Sequence, residues 1–161
     1  MKKPKLYIET STWNFLFAKD SPEKMAMTKA FFDLIENDVY EVFISEVVVA
    51  EIKRAPAPVI DKLLAVIEEY APEIVEVSQP MNLLAQAYLH RRIIPAKKIE
   101  DALHVAVASV EGLDAVVTWN FQHLANLRKA ELFHSVNLEM GYYKKVEIIT
   151  PMEVMTYDEG R

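Results

Sequence analysis

The chain has 161 residues, of which 52% are hydrophobic and only 3 are glycine. That suits one domain, residues 1–161, with a sizeable core, and excludes a disordered or low-complexity protein. The absence of cysteine excludes disulfides, thiolate zinc sites and thiol nucleophiles and fits a cytoplasmic protein. With a formal net charge of -6, the chain as a whole does not attract nucleic acid; a local basic patch, or a Mg²⁺ ion offsetting acids in a cleft, would have to do so.

The elements follow in chain order. The lysines at positions 2, 3 and 5 precede no long apolar stretch, so neither a signal peptide nor a membrane span is expected. Residues 5–9 read as a strand, and Thr10, Ser11 and Thr12 supply hydroxyls to cap a helix over about 13–18. Met27, Phe31, Leu34 and Ile35 mark one face of a helix over 24–37. Residues 41–45 form a second strand whose unbroken apolar run predicts cover on both faces, and Ser45 caps a helix over 46–54. The prolines at 56 and 58 interrupt that helix and open another over 59–70, ended by Pro72. A short strand over 74–77, a helix over 81–91 and a basic loop over 92–97 come next. The helix over 99–111 is apolar nearly all round and has to be central. Gly112 stops it. Strands over 115–118 and 146–149 flank a helix within 124–140, and Thr150-Pro151 opens a terminal helix or turn. This alternation predicts an α/β fold: a three-layer sandwich around a mostly parallel sheet of about five short strands.

Four of these segments place a carboxylate or carboxamide at the edge of an apolar run: Glu9, Glu51, Asp101 and Asn120. A charge buried without a partner is costly, and three acids meeting in one cleft repel each other unless a divalent cation neutralises them. Glu9 and Asn120 follow strands, where parallel sheets bind ligands. Glu51 and Asp101 also have plainer readings, Glu51 as a solvated helix residue or as a surface partner of Lys53 or Arg54, and Asp101 as part of an acidic first turn. Oxygen donors of this kind suit Mg²⁺ or Mn²⁺, with Glu9, Glu51 and Asp101 as ligands and Asn120 holding water or substrate. Thr10, Ser11 and Thr118 are placed to support them. His104, three residues after Asp101, reads as a buried imidazole bonded to Asp101 or Thr118. His123 caps the loop or touches substrate. Trp13 and Trp119 belong to the core or the cleft wall. Arg91, Arg92, Lys97 and Lys98 precede Asp101 and form either a solvated charge run or a grip on a nucleic-acid backbone. There is no glycine-rich phosphate loop.

In order and spacing these segments resemble the PIN domain family of metal-dependent ribonucleases, and more narrowly VapC-type toxins. The matching residues are Ile8, Glu9, Thr10 and Ser11; Glu51 within 45–52; Asp101, Ala102 and Ala106; and Val117, Thr118, Trp119, Asn120 and Phe121. The resemblance implies metal-assisted hydrolysis of RNA by Glu9, Glu51, Asp101 and Asn120, a homodimer and a small antitoxin partner. The chain departs from the family in Glu9, where Asp is usual, and in Asn120, often Asp. Both departures leave open an alternative, an RNA-binding protein of the same fold that cleaves poorly.

Overall fold

The computed structural model describes residues 2–159. Five strands, β1 (Lys5–Ile8), β2 (Glu41–Ser45), β3 (Glu73–Val75), β4 (Ala115–Val117) and β5 (Glu147–Ile149), form one sheet. Their order is β3-β2-β1-β4-β5, and every neighbouring pair is parallel. Successive side chains on a strand point to opposite faces. Leu6, Tyr7 and Ile8 are nevertheless all buried, as are Ala115, Val116 and Val117. Both faces of the sheet's centre are therefore covered, which is the three-layer arrangement the apolar runs called for.

The cover comes from α1 (Thr10–Asn14), continued by a 3-10 turn at Phe15–Phe17, then α2 (Pro22–Ile35), α3 (Glu46–Ile52), α4 (Ala57–Tyr70), α5 (Gln79–His90), α6 (Ile99–Val110), α7 (Leu127–Glu139) and α8 (Pro151–Glu159). Helix α5 packs against α6 and α7, and α2 against α8. The central helix is α6: Ala102, His104, Val105, Ala106, Val107, Ala108 and Ser109 are all buried. Beyond it Gly112 turns the chain at φ 66°, a conformation a Cβ disfavours. Among the described residues no helix is long and apolar enough to cross a membrane.

Several boundaries differ from the expected ones, for local reasons. Helix α1 starts at Thr10, earlier than the three hydroxyls suggested, because Glu9 is itself the N-cap and accepts from Ser11 N. The hydroxyls thus lie inside the first turn, free to bond elsewhere. Ser45 caps α3 as expected, its Oγ accepting from Val47 N. Helix α7 begins only at Leu127, because Asn126 caps it by accepting from Lys129 N. Residues 118–126 are consequently a loop rather than the start of that helix.

The strand order defines the place for a ligand. From β1 the chain builds outward to β2 and β3, then jumps back across β1 to β4 and β5. The crevice at such a reversal, outside the carboxyl ends of the strands, is the binding position of open parallel sheets. Here it lies between the ends of β1 and β4, where Glu9 N donates to Val117 O at 3.0 Å.

Candidate active site

Glu9 follows β1 in extended conformation, φ -74° and ψ 157°, so it shares a face with Tyr7. Both lie against His104 of α6. Glu9 is 4% exposed. Its Oε1 accepts from Ser11 N (3.0 Å), Ser11 Oγ (2.5 Å) and Thr118 Oγ1 (2.6 Å). Burial nonetheless pushes its carboxyl above the usual range, against the opposing effects of His104, Ser11 and Thr118. Ser11 Oγ and Thr118 Oγ1 also accept from the backbone N–H groups of Trp119 (2.9 Å) and Asn120 (3.0 Å). Two hydroxyls therefore clamp the loop after β4 onto the acid after β1.

Glu51, in the last turn of α3, accepts from Thr10 Oγ1 at 2.7 Å and contacts His104 Nε2 at 2.5 Å. Burial works against its charge, but the bonds from His104 and Thr10 and the charges of His104 and Arg54 outweigh that and hold its carboxyl below the usual range. The completely buried His104 is the mirror case. Burial disfavours its cation, yet the hydrogen bond to Glu51 and the charges of Glu9, Glu51 and Asp101 raise it above the ordinary imidazole range. His104 Nδ1 lies 2.6 Å from Tyr7 Oη, which lies 2.8 Å from Ser45 Oγ. Because both hydroxyls can rotate, Tyr7 donates to a neutral imidazole or accepts from a charged one, and either state is satisfied. Tyr7 itself is held well above its usual range by burial.

Asp101, in the first turn of α6, forms the other half of the site. Its Oδ2 lies 2.8 Å from His123 Nδ1 and accepts from Asn120 Nδ2 at 3.4 Å. Asn120 Oδ1 in turn accepts from His123 N at 3.0 Å.

The structure thus brings Glu9, Glu51, Asp101, Asn120, Thr10, Ser11, Thr118 and His104 to one rim. It changes two of their assignments. His104 bonds to Tyr7 and Glu51, not to Asp101 or Thr118, because its ring reaches across to β1 and α3 from the far side of the helix turn. Asp101 is met instead by His123. Tyr7 and Ser45 are the members that sequence reasoning missed as parts of the site. The one signal for Tyr7 was its position two residues before Glu9. The basic residues separate: Arg91 is ion-paired with Glu139 at the end of α7, whereas Lys97 and Lys98 lie exposed directly before α6. Arg92 turns the chain at φ 58°. Arg54 forks onto Glu100 beside Asp101. Trp13 is core, its indole N–H donating to Ile8 O. Trp119 is buried beside the site.

The donor set suits a hard divalent cation. Among the described residues the hydrogen bonds to each of the three acids fall on one oxygen, while Glu9 Oε2 lies 4.0 Å from His104 Nε2. Carboxylate oxygens left over in this way are what Mg²⁺ and Mn²⁺ take, with water completing the shell. Among the described residues, no three acids or imidazoles stand together in an arrangement that could hold a metal ion, so the fit is one of donor chemistry and not of a formed site.

No family model and no curated protein matches the sequence. Solved structures do match the fold. VapC20 of Mycobacterium tuberculosis, a sarcin-ricin loop cleaving toxin, superposes with a TM-score of 0.58 at 18% identity, over 73% of this chain and 92% of its own. VapBC2 of Rickettsia felis, in a structure bound to a DNA fragment from their promoter, gives 0.54 at 18% identity, over 73% of this chain and 89% of its own. The fold is therefore that of a VapC-type PIN domain.

Proposed function

We propose that this chain is a metal-dependent endoribonuclease, the toxin of a toxin–antitoxin pair. One observation carries the reading: at the rim beside the topological switch point Glu9 and Glu51 share His104, and Asp101 is tied through Asn120 to the Thr118 hydroxyl that holds Glu9. When bound, Mg²⁺ or Mn²⁺ activates water and neutralises charge on the scissile phosphate. The residues of the chain prepare that site. Ser11 and Thr118 orient Glu9, Thr10 and His104 orient Glu51, and His123 and Asn120 orient Asp101. Lys97 and Lys98 are the cations nearest to Asp101 in the chain that make no ion pair among the described residues, and they serve the RNA backbone. The kinship of fold with VapC20 supports RNA as the substrate, and with VapBC2 an antitoxin as partner. A homodimer working in the cytoplasm completes the proposal.

Purified protein is expected to cut RNA in Mn²⁺ or Mg²⁺ and to stop on chelation. Asp101→Asn or Glu9→Gln should lower the rate by at least the roughly hundredfold typical of losing a supporting residue at a metal site. Absence of cation binding at millimolar concentration, measured calorimetrically, rules the catalytic reading out. One feature favours the second reading, an RNA-binding protein with weak cleavage: Asn120 stands where an acid is usual and spends its amide on Asp101 and His123. RNA binding that survives both acid substitutions, in a wild-type chain that binds metal but does not cut, selects that reading.

A further inference from the structure

Beside the acids lies a second cluster to which the chemistry above assigns no task. Lys24, in the first turn of α2, holds its ammonium among three rings, 5.4 Å from the centroid of Phe15, 5.7 Å from that of Trp119 and 5.1 Å from that of Phe121. Distances under about 6 Å are attractive for a cation over a ring face. Among the described residues Lys24 makes no ion pair. The rings are fixed to one another as well, Trp119 lying 6.0 Å from Phe15 and 6.1 Å from Phe121.

The cluster is rigidly joined to the site. Trp119 Nε1 donates to Thr28 Oγ1 at 2.8 Å, and Thr28 donates to Lys24 O at 2.6 Å, which ties the first turns of α2 to the loop after β4. Trp119 N donates to the same Ser11 hydroxyl that holds Glu9. Phe121 directly follows Asn120 and is 48% exposed. A half-exposed aromatic ring and a preset cation, next to the Asn120 amide that donates to Asp101, form the combination by which proteins hold single-stranded nucleic acid: the ring stacks a base, and the cation meets the adjoining phosphate. With a chain charge of -6, such local anchors have to replace general attraction.

We infer that this ring cluster seats an unpaired RNA nucleotide next to the cleavage position, its base on Phe121 and its phosphate at Lys24. The inference rests on the nuclease reading for the identity of the strand. It makes the substrate a single-stranded segment or loop rather than a duplex, since a paired base has no free face to offer.

The test is binding of a short fluorescent RNA of randomised sequence to the full chain, with chelator and again with Ca²⁺, against the same RNA in duplex form. The single strand should bind more tightly. Phe121→Ala should weaken it by about five- to a hundredfold, and Phe121→Trp should restore it. Lys24→Met should reduce the slope of log affinity against log salt by about 0.7. Equal binding by Phe121→Ala and wild type, no rescue by Trp, an unchanged salt slope, or no RNA binding in either buffer each overturns the inference. So does loss of antitoxin binding with RNA binding intact, which would make the cluster a protein dock. The two readings fail separately. RNA cleavage in Mn²⁺ with RNA binding unaltered in Phe121→Ala removes this seat and keeps the nuclease. Binding that depends on Phe121, in a chain that never cuts, does the reverse.

Discussion

Two hydroxyls and one imidazole decide the chemistry of the acids. Ser11 Oγ donates to Glu9 while receiving Trp119 N, so Ser11→Ala leaves a buried carboxylate and a backbone N–H short of partners. Urea denaturation should show a loss of about 1–3 kcal/mol, and RNA cleavage a fall of about 10- to 100-fold. His104 governs the pH response. Its folded pKa is raised above the ordinary 6.5, so the stability it contributes is complete below that value and is lost as pH rises through the folded pKa. Glu9, also raised, changes stability in the same sense. Glu51, held low, contributes stability above the usual carboxylate range that disappears as pH falls through its folded pKa. The metal-free chain should therefore be most stable between these limits, in mildly acidic solution, and weaken toward alkaline pH. His104→Gln should flatten the alkaline limb in urea titrations at a series of pH values; an unaltered limb places its cause elsewhere.

Caps and turns set where each element begins, and so where each functional group stands. Glu9 serves both as helix N-cap and as the central acid, which is why β1, the cap and α1 follow one another without a spacer. That economy was visible in the order Ile8, Glu9, Thr10, Ser11, but its geometry was not, since Thr10, Ser11 and Thr12 are all competent caps by residue type. The ends of helices hold reserves of stability away from the site. Ala71 closes α4 in the left-handed region at φ 46° and ψ 54°, where a Cβ costs roughly 1–2 kcal/mol. Ala71→Gly should raise stability by about 0.5–1 kcal/mol, after the glycine's greater unfolded entropy is subtracted, and leave RNA cleavage unchanged. Between α5, α6 and α7, Asn137 donates to Ser109 Oγ at 2.8 Å and accepts from Tyr88 Oη. Asn137→Leu removes both bonds, leaving Tyr88 Oη only its 3.4 Å contact with Ser109 Oγ, and should cost about 1–3 kcal/mol by thermal or urea unfolding.

For the whole molecule, the site sets stability against use. A buried Glu9 whose charge is disfavoured weakens the metal-free fold, and the proposed cation would relieve it. Mn²⁺ at a hundred times its dissociation constant should stabilise the chain by about 2.7 kcal/mol. Glu9→Gln should match or exceed the wild type in metal-free stability while losing that gain, as followed by thermal unfolding with and without Mn²⁺. By itself the sequence determined the alternating α/β plan, the central placement of α6 and the four polar edges, because hydrophobic periodicity and residue type are local properties. Only the tertiary structure decided which groups meet. The reversal of strand order at β1 and β4 joins Glu9 to Thr118 across 109 positions, and the packing of α6 against β1 and α3 gives His104 to Tyr7 and Glu51 instead of its own-helix neighbour Asp101. Arg91, adjacent to Arg92 in the chain, is drawn by α7 into an ion pair. Lys24, far from every motif, is brought by α2 to the rings beside Asn120. Partners separated by so many residues are chosen by the packing of sheet and helices as a whole, and local pattern does not encode that choice.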